Sequence, residues 1–563
     1  RDRTEAWIAA DPEKKTRKDL KALLDAGDVA ELSERMDGSL MFGTAGLRGR
    51  VEGGSNRMNR AVVIRTTRGL AEYLIERSPD SEKPVVIGRD ARLSSERFQK
   101  DAVGVLTAAG ILVRYFPDVV PTPVVAYAAL QLGARAAIVI TASHNPPYDN
   151  GYKVYDTNGA QIVPPVDIDV ASRIAEVAGA VDVPRLKKKH RGELAKPVPE
   201  NIFERYLDDM AKVRADDATG SDLRIVYTPL HGVGGIFVEE ALAVSGYSDF
   251  HPTPAQFEPD GHFPTVAFPN PEEPGALDLA SELAEEVGAG LIIANDPDTD
   301  RLAISLERAD GWRALTGNQI GVLLGDYVLA NTQVEKPLVF NSIVSSPMLE
   351  RVAEAHGAGL ATTLTGYKGS WNPALDLEEA EEGTFVFGYE EALGYSVGPA
   401  VRDKDGISAA VVFADLAAAC IARGETVLDY LAKLYERHGL WVSTQKSIVR
   451  PGSEGAVQIA AAMARIAENP PQEAAGVAIA ASTDYRFGAE DRPRYMGATP
   501  LMELDLGERG RALVRPSGTE PKLKIYVDLV ADRDMSQSAE SQERMLVAEA
   551  DAVAASIADQ LGL

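Results

Sequence analysis

Cysteine is nearly absent. Cys420 is the only one among 563 residues, which excludes a disulfide framework and a cysteine metal site. It closes the apolar run Ala409-Ala-Val-Val-Phe-Ala-Asp-Leu-Ala-Ala-Ala-Cys420, which reads as one face of a buried helix. Positive charge is also short: 58 Lys and Arg stand against 84 Asp and Glu, a net charge of −26. Such a field repels polyanions and argues against nucleic acid as a partner, so an anionic ligand must meet locally clustered arginines and lysines. Long hydrophobic runs are missing too. None approaches the ~18 residues needed to span a bilayer, and the first thirty residues mix charges of both signs with no signal-like core. A cytoplasmic protein with no membrane partner is the expectation. Arg1 is not a natural start, so the sequence is expected to continue upstream.

What is present is ordinary for a globular chain, 45% hydrophobic and 25% charged. At roughly 150 residues per domain, the length suggests about four domains. One theme recurs three times. Pro84-Val-Val-Ile-Gly-Arg-Asp90, Ile111-Leu-Val-Arg-Tyr-Phe116 and Ala136-Ala-Ile-Val-Ile140 read as buried strands between helical stretches, and the last runs into Thr141-Ala-Ser-His-Asn-Pro146. The second pass has Leu223-Arg-Ile-Val-Tyr227 and Gly290-Leu-Ile-Ile-Ala294, opening into Asn295-Asp-Pro-Asp-Thr-Asp-Arg301. The third has Pro337-Leu-Val-Phe-Asn341, Ala361-Thr-Thr-Leu364 and Thr384-Phe-Val-Phe387, opening into Gly388-Tyr-Glu-Glu-Ala-Leu-Gly394. Strands alternating with helices pair in parallel, and ligands gather at the carboxyl edge of such sheets. After about residue 440, charged loops separate short strands and an alanine-rich helix ends the chain. The expected fold is α/β: three similar mixed α/β domains (1–215, 216–316 and 317–440) and a smaller C-terminal α+β domain (441–563) around a central cleft. The basic run Lys187-Lys-Lys-His-Arg191 reads as a solvated face.

The polar loops carry the chemistry. Asp296, Asp298 and Asp300 alternate; in an extended segment their carboxylates share one side and make a hard oxygen cage suited to Mg²⁺. A plain acidic turn is the competing reading. An EF-hand is excluded by the missing glycine and terminal glutamate. Ser143 ends a buried strand beside His144, where it suits a nucleophile or a phosphate carrier, without the Gly-x-Ser-x-Gly elbow of a hydrolase; a turn serine bonding its own backbone is the alternative. Arg515-Pro-Ser-Gly-Thr-Glu-Pro521 offers a guanidinium, hydroxyls and glycine-exposed N–H groups, the donors a phosphate dianion needs, with Lys522 and Lys524 adding charge. Gly43-Thr-Ala-Gly-Leu-Arg48 combines glycine turn and arginine in the same way.

These five loops, in this order, resemble the motifs of the α-D-phosphohexomutases, the group of phosphoglucomutases and phosphomannomutases, over nearly the whole chain. The resemblance implies a heart-shaped, four-domain enzyme with Ser143 as phosphoserine and Mg²⁺ held by Ser143, Asp296, Asp298 and Asp300. It implies an exchange of hexose 1-phosphate and hexose 6-phosphate, glucose or mannose, with a hexose 1,6-bisphosphate as intermediate and activator. Sugar phosphates would be the partners of a monomer or dimer. Glu390 and Glu391 match the sugar-binding loop, Arg515, Ser517, Gly518 and Thr519 the phosphate pocket, and Arg48, Lys153, Arg301 and Lys368 cationic positions. Lys153 or Lys368 is the expected proton-transfer group, with Arg48 and His144 nearby, and a lysine in that role needs a lowered pKa. Ala392 stands where many relatives have serine, and Gly394 where dual-specificity members have histidine. The sequence Tyr389-Glu-Glu-Ala-Leu-Gly394 with Asp403-Lys-Asp-Gly406 leans toward the branch of longer phosphoglucomutases and phosphopentomutases. A ribose phosphate mutase, a sugar phosphatase and a non-catalytic sugar-phosphate sensor are the alternatives.

Overall fold

The computed structural model describes residues 1–563 apart from 44–45, 216–217, 219–220, 222, 367, 494 and 518–521, together with the side chains of 368–370 and 452–453. The chain forms two compact units, residues 1–315 with 394–415, and residues 316–393 with 416–563.

The first unit holds two sheets. In the first, Ala136–Ile140, Val85–Arg89, Val113–Tyr115 and Ala195–Pro197 run parallel. Ala136–Ile140 is buried along its whole length, because helices such as Arg60–Arg77 and Ser95–Ala108 belong to the same layered core; this explains its unbroken apolar sequence. Asn59 starts the first of these helices by accepting the Val62 N–H. Two antiparallel strands, Asp149–Tyr155 and Leu47–Arg50, extend the same sheet. In the second sheet, Leu291–Ala294, Ile225–Thr228 and Phe250–Pro252 are parallel, and Ala303–Arg308 and Gly311–Ala314 add an antiparallel hairpin. Three helices, Asp2–Ala10, Lys14–Ala26 and Val29–Met36, precede all of this.

In the second unit, Gly359–Thr363, Pro337–Ser342 and Thr384–Glu390 form parallel pairs. A capping box between Thr316 and Gln319 opens the neighbouring helix Gly317–Asn331. The C-terminal sheet is antiparallel, in the order Leu440–Val449, Lys522–Ala531, Gly510–Pro516, Met502–Asp505, Ala481–Asp484. The closing helix Ala539–Gln560 is capped by Ser538. Lys188–His190 is exposed, as a solvated run should be, and Cys420 is buried. Among the described residues no single helix is long and apolar enough to cross a membrane.

Candidate active site

In the first unit, the strand Ala136–Ile140 delivers Ser143 and the strand Leu291–Ala294 delivers the aspartates, each just past its carboxyl end. Ser143 is 2% exposed and adopts φ 52°, a left-handed conformation that costs an L-residue roughly 1–2 kcal/mol. That turn aims its Oγ at Asp296, donating to Oδ2 at 2.7 Å. It also brings His144 Nδ1 to 3.2 Å from Oγ, although neighbours on a straight strand face opposite ways. Burial, reinforced by Arg301 and Arg48, drives the His144 pKa well below its usual value and keeps the imidazole neutral.

The aspartates do converge, with ligand atoms within 4.8 Å of one another, but not by lying on one side of an extended segment. Residues 297–299 form a turn, with Thr299 at φ 62°, and the reversal does the gathering. All three are completely buried. At an effective dielectric of 20, each carboxylate pair at such a spacing repels by about 3–4 kcal/mol. Lys153 Nζ offsets part of this, donating to Asp298 Oδ2 at 2.7 Å and Asp300 Oδ2 at 2.8 Å. Lys404 stands 3.1 Å from Asp300, and Arg301 lies 3.9 Å from both Asp296 and Asp300. Thr122 donates to Asp298 at 2.8 Å. Despite burial, these cations hold Asp298 and Asp300 below the usual carboxylate range, whereas burial and its two acidic neighbours push Asp296 well above it. Asp298 Oδ1 and Asp300 Oδ1 are buried without a hydrogen-bond donor. Buried hard oxygens left without a donor are what a divalent cation needs, so the cluster fits a metal ion.

The same contacts bear on Lys153: two carboxylates raise its pKa, outweighing the desolvation that lowers it, the direction opposite to the one proton transfer favours. Arg48, on the strand Leu47–Arg50, donates to Asn145 Oδ1 at 3.1 Å, joining the glycine loop to the Ser143 loop. Its side chain stays exposed at the surface, yet surrounding protein draws its pKa down by desolvation, with Arg301 acting in the same direction; an arginine remains charged regardless. Glycine is required at 46, where φ is +71° and a Cβ would lie 1.9 Å from the Tyr152 carbonyl oxygen.

In the second unit, Glu390 Oε1 accepts the Gly366 N–H at 2.7 Å. Glu391 Oε2 accepts from the hydroxyls of Ser342 at 3.0 Å and Ser345 at 3.4 Å. Desolvation and the charge of Glu390 push the Glu391 carboxyl up to about 7. The helix Gly317–Asn331 begins against this loop so closely that a Cβ at 317 would lie 1.8 Å from the Glu391 carbonyl oxygen. Arg511 ties the turn after Pro337–Ser342, which carries Ser345, to the C-terminal sheet, donating to the Ser345 carbonyl at 2.9 Å and to Asp528 at 2.9 Å. Four residues along the same strand, Arg515 is half-buried and bonds the Tyr526 hydroxyl. The Ser517 N–H donates to the Lys522 carbonyl at 2.7 Å. Gly518, Thr519 and the side chain of Lys368 lie outside the described residues.

Ser143, His144, Arg48, Lys153, Arg301 and the three aspartates therefore share one site in the first unit. Glu390 and Glu391 share another region in the second, whose C-terminal sheet bears Arg515 and Ser517. Sequence reasoning missed Thr122, Lys404, Ser342 and Ser345 as parts of these sites. Only Lys404 had a signal, the compact Asp403-Lys-Asp-Gly406 segment.

Residues 39–179, 204–311 and 316–438 match the families described as phosphoglucomutase/phosphomannomutase, alpha/beta/alpha domains I, II and III, and residues 476–544 match the corresponding C-terminal domain. A protein of Haemophilus influenzae named "Probable phosphomannomutase" is 40% identical over 477 residues, covering 84% of this chain and 93% of its own length. A phosphopentomutase of Mus musculus is 34% identical over 561 residues, covering 94% and 90%. Parafusin, a phosphoglucomutase from Paramecium solved in its open form, has the same fold: TM-score 0.70 at 17% identity, over 93% of this chain and 96% of that one. Matched in order through all four domains, the chain belongs to the α-D-phosphohexomutase family and is a phosphomutase, an intramolecular phosphotransferase.

Proposed function

We propose that this enzyme interconverts hexose 1-phosphate and hexose 6-phosphate, glucose or mannose, with Ser143 as the phosphoryl carrier and Mg²⁺ as its metal. The observation that carries the proposal is the Ser143 hydroxyl 2.7 Å from Asp296 within the buried aspartate cluster. Asp296, Asp298, Asp300 and the Ser143 phosphate would hold the cation, which supplies charge neutralisation and polarises the phosphoryl group. The chain's own residues do the rest. Ser143 gives its phosphoryl group to a sugar monophosphate and recovers the other one after the bound bisphosphate turns over. When Ser143 loses that group its oxygen takes up a proton while the attacking sugar hydroxyl gives one up, and the neutral His144 ring, with Nδ1 3.2 Å from Oγ, would hand a proton to Oγ only while taking another at its far nitrogen. Lys153 and Lys404, 2.7–3.1 Å from Asp298 and Asp300, offset the charge of the aspartates. Glu390 and Glu391 accept hydrogen bonds from sugar hydroxyls, while Arg515, Ser517, Gly518 and Thr519 grip whichever phosphate is not reacting.

A pentose phosphate is the second reading. It is supported by Ala392, which removes a hydroxyl from the sugar loop, and by the similarity to the mouse phosphopentomutase. The deciding experiment is a comparison of kcat/KM for glucose 1-phosphate, mannose 1-phosphate and ribose 1-phosphate, using protein phosphorylated on Ser143. Preference for either hexose supports the proposal; preference for ribose 1-phosphate replaces it with the pentose reading. Release of free phosphate without isomer formation would instead make the enzyme a phosphatase.

A further inference from the structure

The Ser143 loop hangs on a buried arginine. Arg92 sits in the turn between the strand Val85–Arg89 and the helix Ser95–Ala108 and is 2% exposed. Its Nη2 donates to the carbonyl oxygens of Ser143 at 2.6 Å and Asn145 at 2.5 Å. Its Nη1 donates to those of Pro146 at 2.6 Å and Asp149 at 3.0 Å. Asp90 Oδ2 lies 3.1 Å from Nε as an ion pair, and Asp90 is itself fixed by the Ser95 hydroxyl and the Arg92 N–H. The Phe263 ring covers the guanidinium at 5.2 Å. One planar fork thus holds four carbonyls of a single loop, the loop whose first residue is twisted into the left-handed region.

We propose that Arg92 is a positioning residue for phosphoryl transfer, locking the 143–149 backbone so that Ser143 Oγ keeps its place against the aspartates through the catalytic cycle. The proposal rests on Ser143 being the carrier. Arg92 donates no hydrogen bond to Oγ or to an aspartate of the cage; beside its charge, which Asp298 and Asp296 feel and which lysine would retain, its effect passes through the backbone it grips. Four carbonyls released from a buried cation would let the loop relax toward right-handed or extended backbone, turning Oγ away from Asp296. Charge alone does not replace this grip: an ammonium has no planar fork and reaches fewer of the four acceptors.

The test uses the full-length protein with Mg²⁺, phosphorylated by glucose 1,6-bisphosphate and checked by intact mass and peptide mapping. Arg92→Lys keeps the charge and loses the fork; Asp90→Asn keeps the guanidinium and loses its orienting partner, and so serves if Arg92→Lys fails to fold. The expected result is a kcat lower by about tenfold or more for Arg92→Lys, and lower to a lesser degree for Asp90→Asn, with KM within about twofold. The ³¹P resonance of phosphoserine should move toward that of an unconstrained phosphoserine peptide. Wild-type kcat and an unmoved ³¹P signal in a folded variant would overturn the proposal. So would kcat and KM changing together in step with lost thermal stability. A wild-type protein with no phosphate on Ser143 sinks the carrier reading and this proposal together; a phosphorylated variant with undiminished kcat sinks this proposal alone.

Discussion

Ser143 contributes little to the core except its hydroxyl, and that hydroxyl makes its hydrogen bond to an aspartate already crowded by like charge. Ser143→Ala should therefore abolish mutase turnover while leaving the thermal transition within a few degrees of wild type, which calorimetry beside a coupled assay will check. Loss of the fold in that variant would make the hydroxyl structural. Asp298 is more exacting. Asparagine keeps an oxygen for Thr122 but removes the charge that faces Lys153. For Asp298→Asn the Mg²⁺ concentration at half-maximal rate should rise by about tenfold, the equivalent of about 1.4 kcal/mol, and added Mg²⁺ should recover part of the rate. Unchanged Mg²⁺ dependence would assign the aspartate to structure alone. The charges of this site were legible in the sequence because hard oxygen ligands cluster locally. The conformations of Ser143 and Thr299 were not, since a left-handed residue other than glycine leaves no mark on composition. Lys404 escaped because its contact with Asp300 joins segments far apart in the chain.

Among the secondary elements, the buried parallel strands were the easiest to read, for a strand covered on both faces is continuously apolar, as Ala136–Ile140 and Leu291–Ala294 are. The strand Asp149–Tyr155 was hidden by its polar start, Asp-Asn-Gly, and the three N-terminal helices by their charge. The loop following Thr384–Glu390 carries a pH dependence of its own. Glu391, near 7 when folded, faces Glu390, the hydroxyls of Ser342 and Ser345, and the charge of Lys524. An unfolded glutamate titrates near 4.3, so between that pH and 7 the folded state binds more protons and stability falls as pH rises, levelling off above 7. Glu391→Gln should flatten that part of the curve, and melting temperatures of both proteins from pH 5 to 8 should diverge in favour of glutamine as pH rises. Parallel curves would show that the carboxyl titrates normally. On the strand Gly510–Pro516, Arg515→Lys keeps the charge and loses the two-point grip. It should lower kcat/KM for sugar phosphates by about tenfold or more, matching a charge-assisted hydrogen bond of about 1.5–3 kcal/mol. Transfer from phosphorylated Ser143 to acceptors lacking a phosphate should barely change; an equal loss there would mean that Arg515 supports the fold.

For the molecule as a whole, a net charge of −26 sits poorly with an anionic substrate, and the distribution of charge resolves the conflict. Arg48, Lys153, Arg301 and Lys404 gather around the aspartates and Ser143, so among the described residues this acidic cluster is also a place where cations concentrate. That balance leaves room for a further dianion only together with a divalent ion, as a metal-dependent phosphoserine requires. The most direct test is to incubate the full-length enzyme with Mg²⁺ and glucose 1,6-bisphosphate carrying ¹⁸O in its phosphoryl groups, then map the labelled phosphoryl group by peptide mass spectrometry before and after a chase with unlabelled hexose monophosphate. One labelled phosphoryl group, on Ser143, is expected before the chase; during it the label passes into hexose phosphates and an unlabelled phosphoryl group takes its place on Ser143. A phosphoryl group on another residue, or steady turnover with Ser143 never labelled, would contradict the carrier role of Ser143.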